Sequence, residues 1–199
     1  MAPRAFITVW RDLNYRADER AFVREAQPWA LIIFKRNVST PTQLTELIQS
    51  FRDTVGWEAP VLIDQEGGRV QRLARRIGRS IRPARSTAPS TIARKRWAWR
   101  AAQFAGHLIA ADLKAVGIDV DACLRGGRAG SRRRPDHRRP RLWHRAGKVA
   151  ALAGAIAKGL LAGGVLPVLK HLPGHGRAGG RQPSQAAGGR YRPGDLGTH

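Results

Sequence analysis

IDQEGGRVQR, residues Ile63–Arg72, begins where the short apolar run Pro60–Ile63 ends. A second stretch, KHLPGHG at Lys170–Gly176, follows the apolar run Val165–Leu169 in the same way. Solid apolar runs of this length are typical of buried parallel strands, and folds built on such strands keep their chemistry at the carboxyl ends. The two stretches therefore predict one functional edge of a parallel sheet.

Strand and helix signals alternate around these stretches. Short apolar runs predict strands at Ala5–Val9, Ala30–Phe34, Pro60–Ile63, Ile118–Val120 and Val165–Leu169. Helical spacing of apolar residues predicts helices at Ala17–Ala26, Pro41–Val55, Ala101–Val116 and Lys148–Ala162. Thr40 is placed to cap the second helix, and Gly56 to end it.

This alternation predicts an α/β fold, an incomplete TIM-type (β/α) barrel in which parallel strands alternate with helices. An open doubly wound sheet is the alternative. No G-x-G-x-x-G sequence opens a helix after the first strand, which disfavours the nucleotide-binding form of that alternative.

The formal net charge of +22 is concentrated in three blocks, Leu73–Arg100, Cys123–Gly147 and Arg177–His199. These blocks hold 22 of the 36 Lys and Arg residues but only 2 of the 14 acidic residues. A charge of this size normally indicates a nucleic-acid partner. Because the rest of the chain is nearly neutral, we interpret the chain as a globular protein interrupted by basic blocks of irregular structure.

The cellular context is predicted from what the sequence lacks. The single cysteine, Cys123, excludes an internal disulfide and fits a reducing compartment. Met1–Trp10 has too short an apolar run for a signal peptide. The apolar stretch Val149–Leu169 is broken by Lys158 and by Gly159, Gly163 and Gly164, so it does not span a bilayer as one helix. We expect a cytoplasmic protein without a membrane partner.

The residue types at the predicted edge suit a ligand rich in hydroxyl groups. Asp64 and Glu66 occupy alternate positions at a strand exit, and Arg72 can return toward them as a charge-assisted pair. Lys170 ends a buried strand, where a lysine needs a partner. His171 and His175 are separated by Pro173-Gly174, so they are not a helical metal-binding pair, and we predict no metal and no cofactor. An internal salt-bridge network is the alternative interpretation.

The two motifs, D-Q-E-G-G-R-V-Q-R and K-H-L-P-G-H-G, resemble the family 3 glycoside hydrolases, in the branch of the bacterial β-N-acetylhexosaminidases. The resemblance covers Arg4–Ile7, Ala17–Arg36, Pro60–Leu73, Ala101–Asp121 and Lys148–Ala178. It implies a TIM-type barrel that removes terminal N-acetylglucosamine from muropeptides during peptidoglycan recycling, with retention of configuration. It also implies four substrate-binding residues, namely Asp64, Arg72, Lys170 and His171.

The chain departs from this family pattern at the catalytic positions. The resemblance implies a carboxylate nucleophile and an Asp-Ser-His loop whose histidine is the acid/base. The residues after Gly176 are instead Arg177–Ser184, RAGGRQPS, and a Gly-Asp-Arg loop expected between Asp121 and Lys148 is missing. We therefore assign no catalytic residue and expect this chain, as written, to be inactive.

The composition of the basic blocks indicates out-of-frame translation. Of the 36 basic residues, 30 are Arg, as GC-rich DNA gives in a wrong frame. Gly180–Ser184 can be back-translated so that a one-base shift gives Val-Asp-Ser-His. We predict one partial barrel domain over residues 1–176, with 73–100 and 123–147 out of frame, followed by an out-of-frame tail over 177–199.

Two other functions stay open on the sequence alone. An Arg-rich nucleic-acid-binding protein would use Arg132–Arg134 and Trp143 for phosphate contacts and stacking. We expect no specific nucleic-acid partner, although charge of this density binds polyanions adventitiously. A non-catalytic barrel fragment that binds sugar is the other alternative. The sequence does not indicate the oligomeric state.

Overall fold

The computed structural model describes residues 2–67, 70–73, 92–125 and 146–171. Its strands are β1 (Arg4–Val9), β2 (Pro28–Ile33), β3 (Val61–Ile63), β4 (Gln65–Gly67), β5 (Val70–Gln71), β6 (Val120–Arg125) and β7 (Leu166–Lys170). Its helices are α1 (Ala17–Ala26), α2 (Pro41–Val55), α3 (Ile92–Lys114) and α4 (Ala146–Ala162), with a 3₁₀ turn at Lys35–Asn37. Within these described ranges, no helix combines the length and the apolar character needed to cross a bilayer.

Five strands form one parallel sheet in the order β1-β2-β3-β6-β7, and β4 and β5 form a small antiparallel hairpin. The register pairs Leu31 with Val61, Leu62 with Val120, and Val120 with Leu166. The strand order follows the chain without reversal, whereas a doubly wound sheet reverses at its switch point. The predicted fold class, an incomplete (β/α) barrel, is confirmed.

The main core lies between the sheet and its helices. Alternate strand residues such as Leu31 and Ile63 are fully buried against Leu44, Ile48 and Phe51 of α2. The opposite face of the sheet carries a smaller cluster of Ala30, Leu62 and Val120. Burial on both faces explains why the central strands β2 and β3 are continuous apolar runs rather than alternating ones.

The two outer strands are less covered than the central ones. Ile7 and Val9 of β1 are 43% and 45% exposed, and Leu166 of β7 is 56% exposed. These strands are the edges of the five-stranded sheet, where each has a paired neighbour on one side within the described sheet. Their exposed apolar side chains are those expected at the open sides of an incomplete barrel.

Helix α2 begins and ends where the sequence predicts. The Thr40 side chain accepts a hydrogen bond from the Gln43 backbone N–H at 3.2 Å, and Pro41 follows as the first helical residue. Gly56 ends the helix with a φ of 78°, a conformation that glycine adopts without steric cost.

Helix α3 begins at Ile92, nine residues before the predicted start at Ala101, so the end of the block Leu73–Arg100 is helical. No glycine or proline interrupts the chain between Ile92 and Gly106, and Ala98 and Ala102 are buried. The segment before Ala101 therefore consists of helix-forming residues with a narrow buried face, and the helix extends toward the N-terminus through it. The ends of the block Cys123–Gly147 are also regular, since β6 continues to Arg125 and α4 begins at Ala146, so the expectation of irregular structure is wrong there as well. The other expectations for the basic blocks concern residues 74–91, 126–145 and 172–199, which lie outside the described residues.

Helices α3 and α4 approach each other closely through glycines. A Cβ atom at Gly159 would lie 1.9 Å from the Gln103 carbonyl oxygen, and one at Gly106 would lie 2.4 Å from the Ile156 carbonyl oxygen. A side chain at either position would therefore collide with the backbone of the facing helix.

Candidate functional site

A cluster of charged side chains lies at the carboxyl ends of β3 and β7. The Lys170 ammonium contacts Asp64 Oδ1 and lies 3.1 Å from Glu66 Oε1. Arg72 Nη2 lies 3.2 Å from Asp64 Oδ2. The Asp64 and Lys170 side chains are only 19% and 14% exposed. The structure thus brings together Asp64, Arg72 and Lys170, three of the four residues predicted to bind substrate.

His171 is the fourth predicted residue. It directly follows Lys170, through a cis peptide bond, and it is exposed. Its backbone therefore lies at the same edge of the sheet as the cluster. Arg69 and His175, which the sequence analysis also considered, lie outside the described residues.

Gln65 builds the loop that carries Arg72 back to Asp64. Its side-chain Oε1 accepts hydrogen bonds from the backbone N–H groups of Arg72 at 2.8 Å and Leu73 at 3.1 Å. Its Nε2 donates to the Leu73 carbonyl at 3.2 Å. Gly67 takes a φ of 75° in the turn between β4 and β5. Because Gln65 is 3% exposed, these bonds are shielded from water and hold the hairpin closed.

No role for Gln65 is predicted from the sequence alone. Gln65 lies within the motif, but a glutamine in a short strand gives no sign in the sequence that its side chain will form hydrogen bonds with the backbone of its own hairpin. The contact depends on the return of the chain at Gly67.

Asp121 is a second residue that the sequence analysis missed. It is fully buried, and its Oδ1 accepts a hydrogen bond from the Gln65 backbone N–H at 2.9 Å. Burial raises the pKa of Asp121 to about 7, against lowering effects from the Gln65 N–H, Cys123 and Lys170. The signal that could have identified it is the rule applied to Asp64, since Asp121 directly follows the predicted strand Ile118–Val120.

The charge state of Asp64 is determined by its cationic neighbours. Burial alone would raise the pKa of this carboxyl, but the hydrogen bonds and charges of Lys170 and Arg72 outweigh burial and lower it. Asp64 is therefore a carboxylate at neutral pH. Its oxygens are strong acceptors positioned by two cations.

An aromatic side chain flanks the cluster on the side of β2. The Arg72 guanidinium lies 5.9 Å from the centroid of the Phe34 ring, and the Arg36 guanidinium lies 4.8 Å from it. Arg36 Nε also donates to the Trp10 carbonyl at 3.0 Å. Asn37, fully buried, donates to the same carbonyl at 3.1 Å. These contacts fix the loop after β2 next to the hairpin that carries Arg72.

The described residues contain no group of three or more His, Cys, Asp or Glu side chains arranged to hold a metal ion. In the cluster, the carboxylates of Asp64 and Glu66 are paired with an ammonium and a guanidinium. Such an arrangement presents both acceptors and charged donors at one edge. It is suited to hydrogen bonding with a polyhydroxylated ligand.

The sequence pattern of the Glycosyl hydrolase family 3 N terminal domain matches residues 5–186. The chain belongs to glycoside hydrolase family 3. This family 3 chain is 34% identical over 170 residues to a Beta-hexosaminidase of Pseudomonas aeruginosa (strain LESB58), an alignment covering 81% of the chain and 46% of the relative. It is 35% identical over 175 residues to a Beta-hexosaminidase of Methylococcus capsulatus, covering 82% and 47%. The family 3 chain therefore spans about half the length of these curated relatives.

Solved structures of family 3 proteins share the fold. NagZ from Neisseria gonorrhoeae, solved in complex with N-trifluoroacetyl-D-glucosamine, matches with a TM-score of 0.73 and 25% identity, covering 88% of this chain and 52% of that one. A family 3 beta-N-acetylglucosaminidase from Paenibacillus sp. str. FPU-7 matches with a TM-score of 0.70 and 25% identity, covering 86% and 32%. The parallel sheet that carries the charged cluster thus corresponds to part of the barrel sheet of family 3.

Proposed function

We propose that the charged cluster is the sugar-binding site of a β-N-acetylhexosaminidase domain, which takes terminal N-acetylglucosamine of cell-wall muropeptides through Asp64, Arg72, Lys170 and His171. The observation that carries this proposal is the Asp64 carboxylate held between Lys170 and Arg72 at the strand ends. Two comparisons support it. The curated relatives are beta-hexosaminidases, and the Neisseria relative was solved with a glucosamine derivative.

The chemistry of the cluster fits a sugar ring. An ionised carboxylate accepts two hydroxyl hydrogen bonds, and these are stronger than bonds between neutral groups. The Lys170 ammonium has three donors, and it contacts the carboxylates of Asp64 and Glu66. Because both side chains are largely buried, sugar hydroxyls at this site would bind in a region of low dielectric, where each hydrogen bond is strengthened.

The proposal includes binding without hydrolysis for the chain as written. Retaining glycosidases need both a nucleophile and an acid/base group. The Asp-Ser-His sequence that the family resemblance implies occurs nowhere in the 199 residues. The cluster holds its carboxylates in ion pairs, and Asp64 in particular is kept ionised, so it is a poor proton donor.

The binding proposal is tested with N-acetylglucosamine and ligand-observed NMR. We expect saturation transfer from the protein to the acetyl methyl group, lost in Asp64→Asn. The matched control is Asp53→Asn, which replaces a carboxylate on α2 that pairs with Gln49 at 2.9 Å, outside the cluster. Equal transfer in the wild type and Asp64→Asn, with both folded, would overturn the assignment of the site.

Hydrolysis is tested separately by release of p-nitrophenol from its β-N-acetylglucosaminide. We expect no release by the purified 199-residue chain. Turnover that Asp64→Ala abolishes and Asp53→Asn leaves intact would show that the chain holds a complete catalytic site.

A further inference from the structure

Asp121 adjoins the charged cluster, since the charges of Lys170 and Asp64 act on it, but it has no role in the binding proposal. It belongs to β6, the strand between β3 and β7, so that Asp64 and Lys170 come from its two neighbours. Asp121 is fully buried. Its Oδ2 has no hydrogen-bond partner among the described residues, while its Oδ1 accepts the Gln65 N–H.

Several groups surround this carboxyl. Lys170 of β7, Asp64 at the exit of β3 and the Cys123 thiol of β6 act on it directly. Glu66 of β4 acts electrostatically on Cys123, and Arg72 is paired with Asp64. Lys170, the cation whose charge acts on Asp121, is already bound to the carboxylates of Asp64 and Glu66.

This arrangement favours a neutral Asp121. An ionised carboxylate with one oxygen buried and unpartnered is costly, because it loses its hydration without compensation. A neutral carboxyl still accepts the Gln65 N–H through its carbonyl oxygen. A neutral Asp121 also adds no third negative charge beside Asp64 and Glu66, so the ion pairs of Lys170 with these two carboxylates are undisturbed.

We propose that Asp121 is a proton-dependent positioning residue of the cluster. When Asp121 is protonated, it accepts the Gln65 N–H and does not compete for Lys170, which therefore stays paired with Asp64. When the proton leaves to solvent, the resulting carboxylate competes with Asp64 for Lys170, and the cluster loosens. This inference rests on the proposed function only in treating the cluster as a sugar site. Because its test uses no ligand, a failure of the Asp121 proposal can be distinguished from a failure of the sugar-binding proposal.

The two states interchange near neutrality. Burial raises the pKa of Asp121 to about 7, so Asp121 is mostly protonated at pH 6 and mostly ionised at pH 8. The cluster is therefore assembled on the acid side of neutrality and weakened on the alkaline side.

The test is an NMR titration of the full chain between pH 4 and 9. We expect the Asp121 carboxyl carbon, assigned by its loss in Asp121→Asn, to titrate with a midpoint near 7. We expect the Lys170 side-chain nitrogen to shift with the same midpoint in the wild type and to lose this step in Asp121→Asn, whose amide is neutral at every pH. Lys114, which pairs with Asp119 at 3.3 Å, is the internal control and should show no such step in either protein.

Two results would overturn the proposal. One is an Asp121 midpoint near the ordinary value of about 4. The other is a Lys170 step near pH 7 that persists in Asp121→Asn or that is absent from the wild type. If Asp121→Asn fails to give a folded spectrum, Asp121→Ser supplies the same comparison with a smaller neutral group.

Discussion

Lys170 and Asp64 form an ion pair although 106 residues separate them in the chain. Their strands, β7 and β3, are not neighbours, because β6 lies between them. The two side chains therefore reach toward each other across β6, the strand in which Asp121 is buried. This bridge joins both motifs of the sequence into one charged cluster.

Replacing Lys170 by methionine should destabilise the protein. The change leaves the carboxylates of Asp64 and Glu66 close together without their shared ammonium. We expect a loss of about 2 kcal/mol in the free energy of unfolding, between the ~0–1 kcal/mol of exposed pairs and the ~3–5 kcal/mol of fully buried ones. Urea denaturation measures it. Lys114→Met is the control, since Lys114 is 47% exposed and should matter little. Equal effects of the two changes would contradict this prediction.

Replacing Asp121 by asparagine should change how stability depends on pH. The folded protein raises the pKa of Asp121 to about 7 from about 3.9 in the unfolded chain, so the stability linked to its proton is fully present below pH 4 and is lost as pH rises through 7. Asp121→Asn cannot lose this stability, and its advantage over the wild type should grow by up to about 4 kcal/mol between pH 4 and 8. Chemical denaturation across this range measures the difference. A constant difference at all pH values would disprove the expectation.

Replacing Gly159 by alanine should disrupt the contact between α3 and α4. The added Cβ would lie 1.9 Å from the Gln103 carbonyl oxygen, so the helices must move apart. We expect a destabilisation of about 1–3 kcal/mol, as for overpacked cores. Thermal unfolding followed by circular dichroism measures it.

Gly154→Ala is the matched control on the same helix. A Cβ at Gly154 meets nothing within 4 Å, so this change should stabilise α4 by up to ~1 kcal/mol through helix propensity. The close approach of the helices would be refuted if both alanines shifted the unfolding temperature in the same direction.

The net charge of +22 should produce polyanion binding without sequence preference. We expect single-stranded DNA to bind at low salt, with an affinity that falls steeply as salt rises and that is equal for unrelated sequences. Fluorescence anisotropy measures this. Trp97, which is 70% exposed on α3, tests the rival interpretation. A loss of about tenfold or more in Trp97→Ala, at constant charge, would indicate base stacking and a true nucleic-acid site.

The out-of-frame origin of the basic blocks is tested on the gene itself. We expect one-base insertions or deletions near codons 73–100, 122–147 and 178–180 when the locus is resequenced. An unbroken frame, together with an intact protein mass that matches the 199-residue chain, would reject this origin.

Much of the fold was predictable because its signals are local. Thr40, Pro41 and Gly56 mark the ends of α2 through contacts within a few residues, and the structure confirms them. Apolar runs marked four of the five parallel strands, and in the central strands β2 and β3 they reflect cover on both faces of the sheet. β6 was placed too early, since its apolar run ends at Val120, where the strand begins. The start of α3 was placed too late, since the basic composition of the segment before Ala101 hid its helical continuity.

The sequence by itself also identified Asp64, Arg72 and Lys170 as charged residues of the site, because charge near the carboxyl end of an apolar strand can be recognised from the order of the residues alone. Only the tertiary structure decided which charges meet, that Gln65 closes the hairpin, and that Asp121 is buried between two neighbouring strands. The physical reason is that ion pairing and desolvation depend on distances in space. The protonation state of Asp121 is determined by groups from three strands, which come together only when the sheet forms.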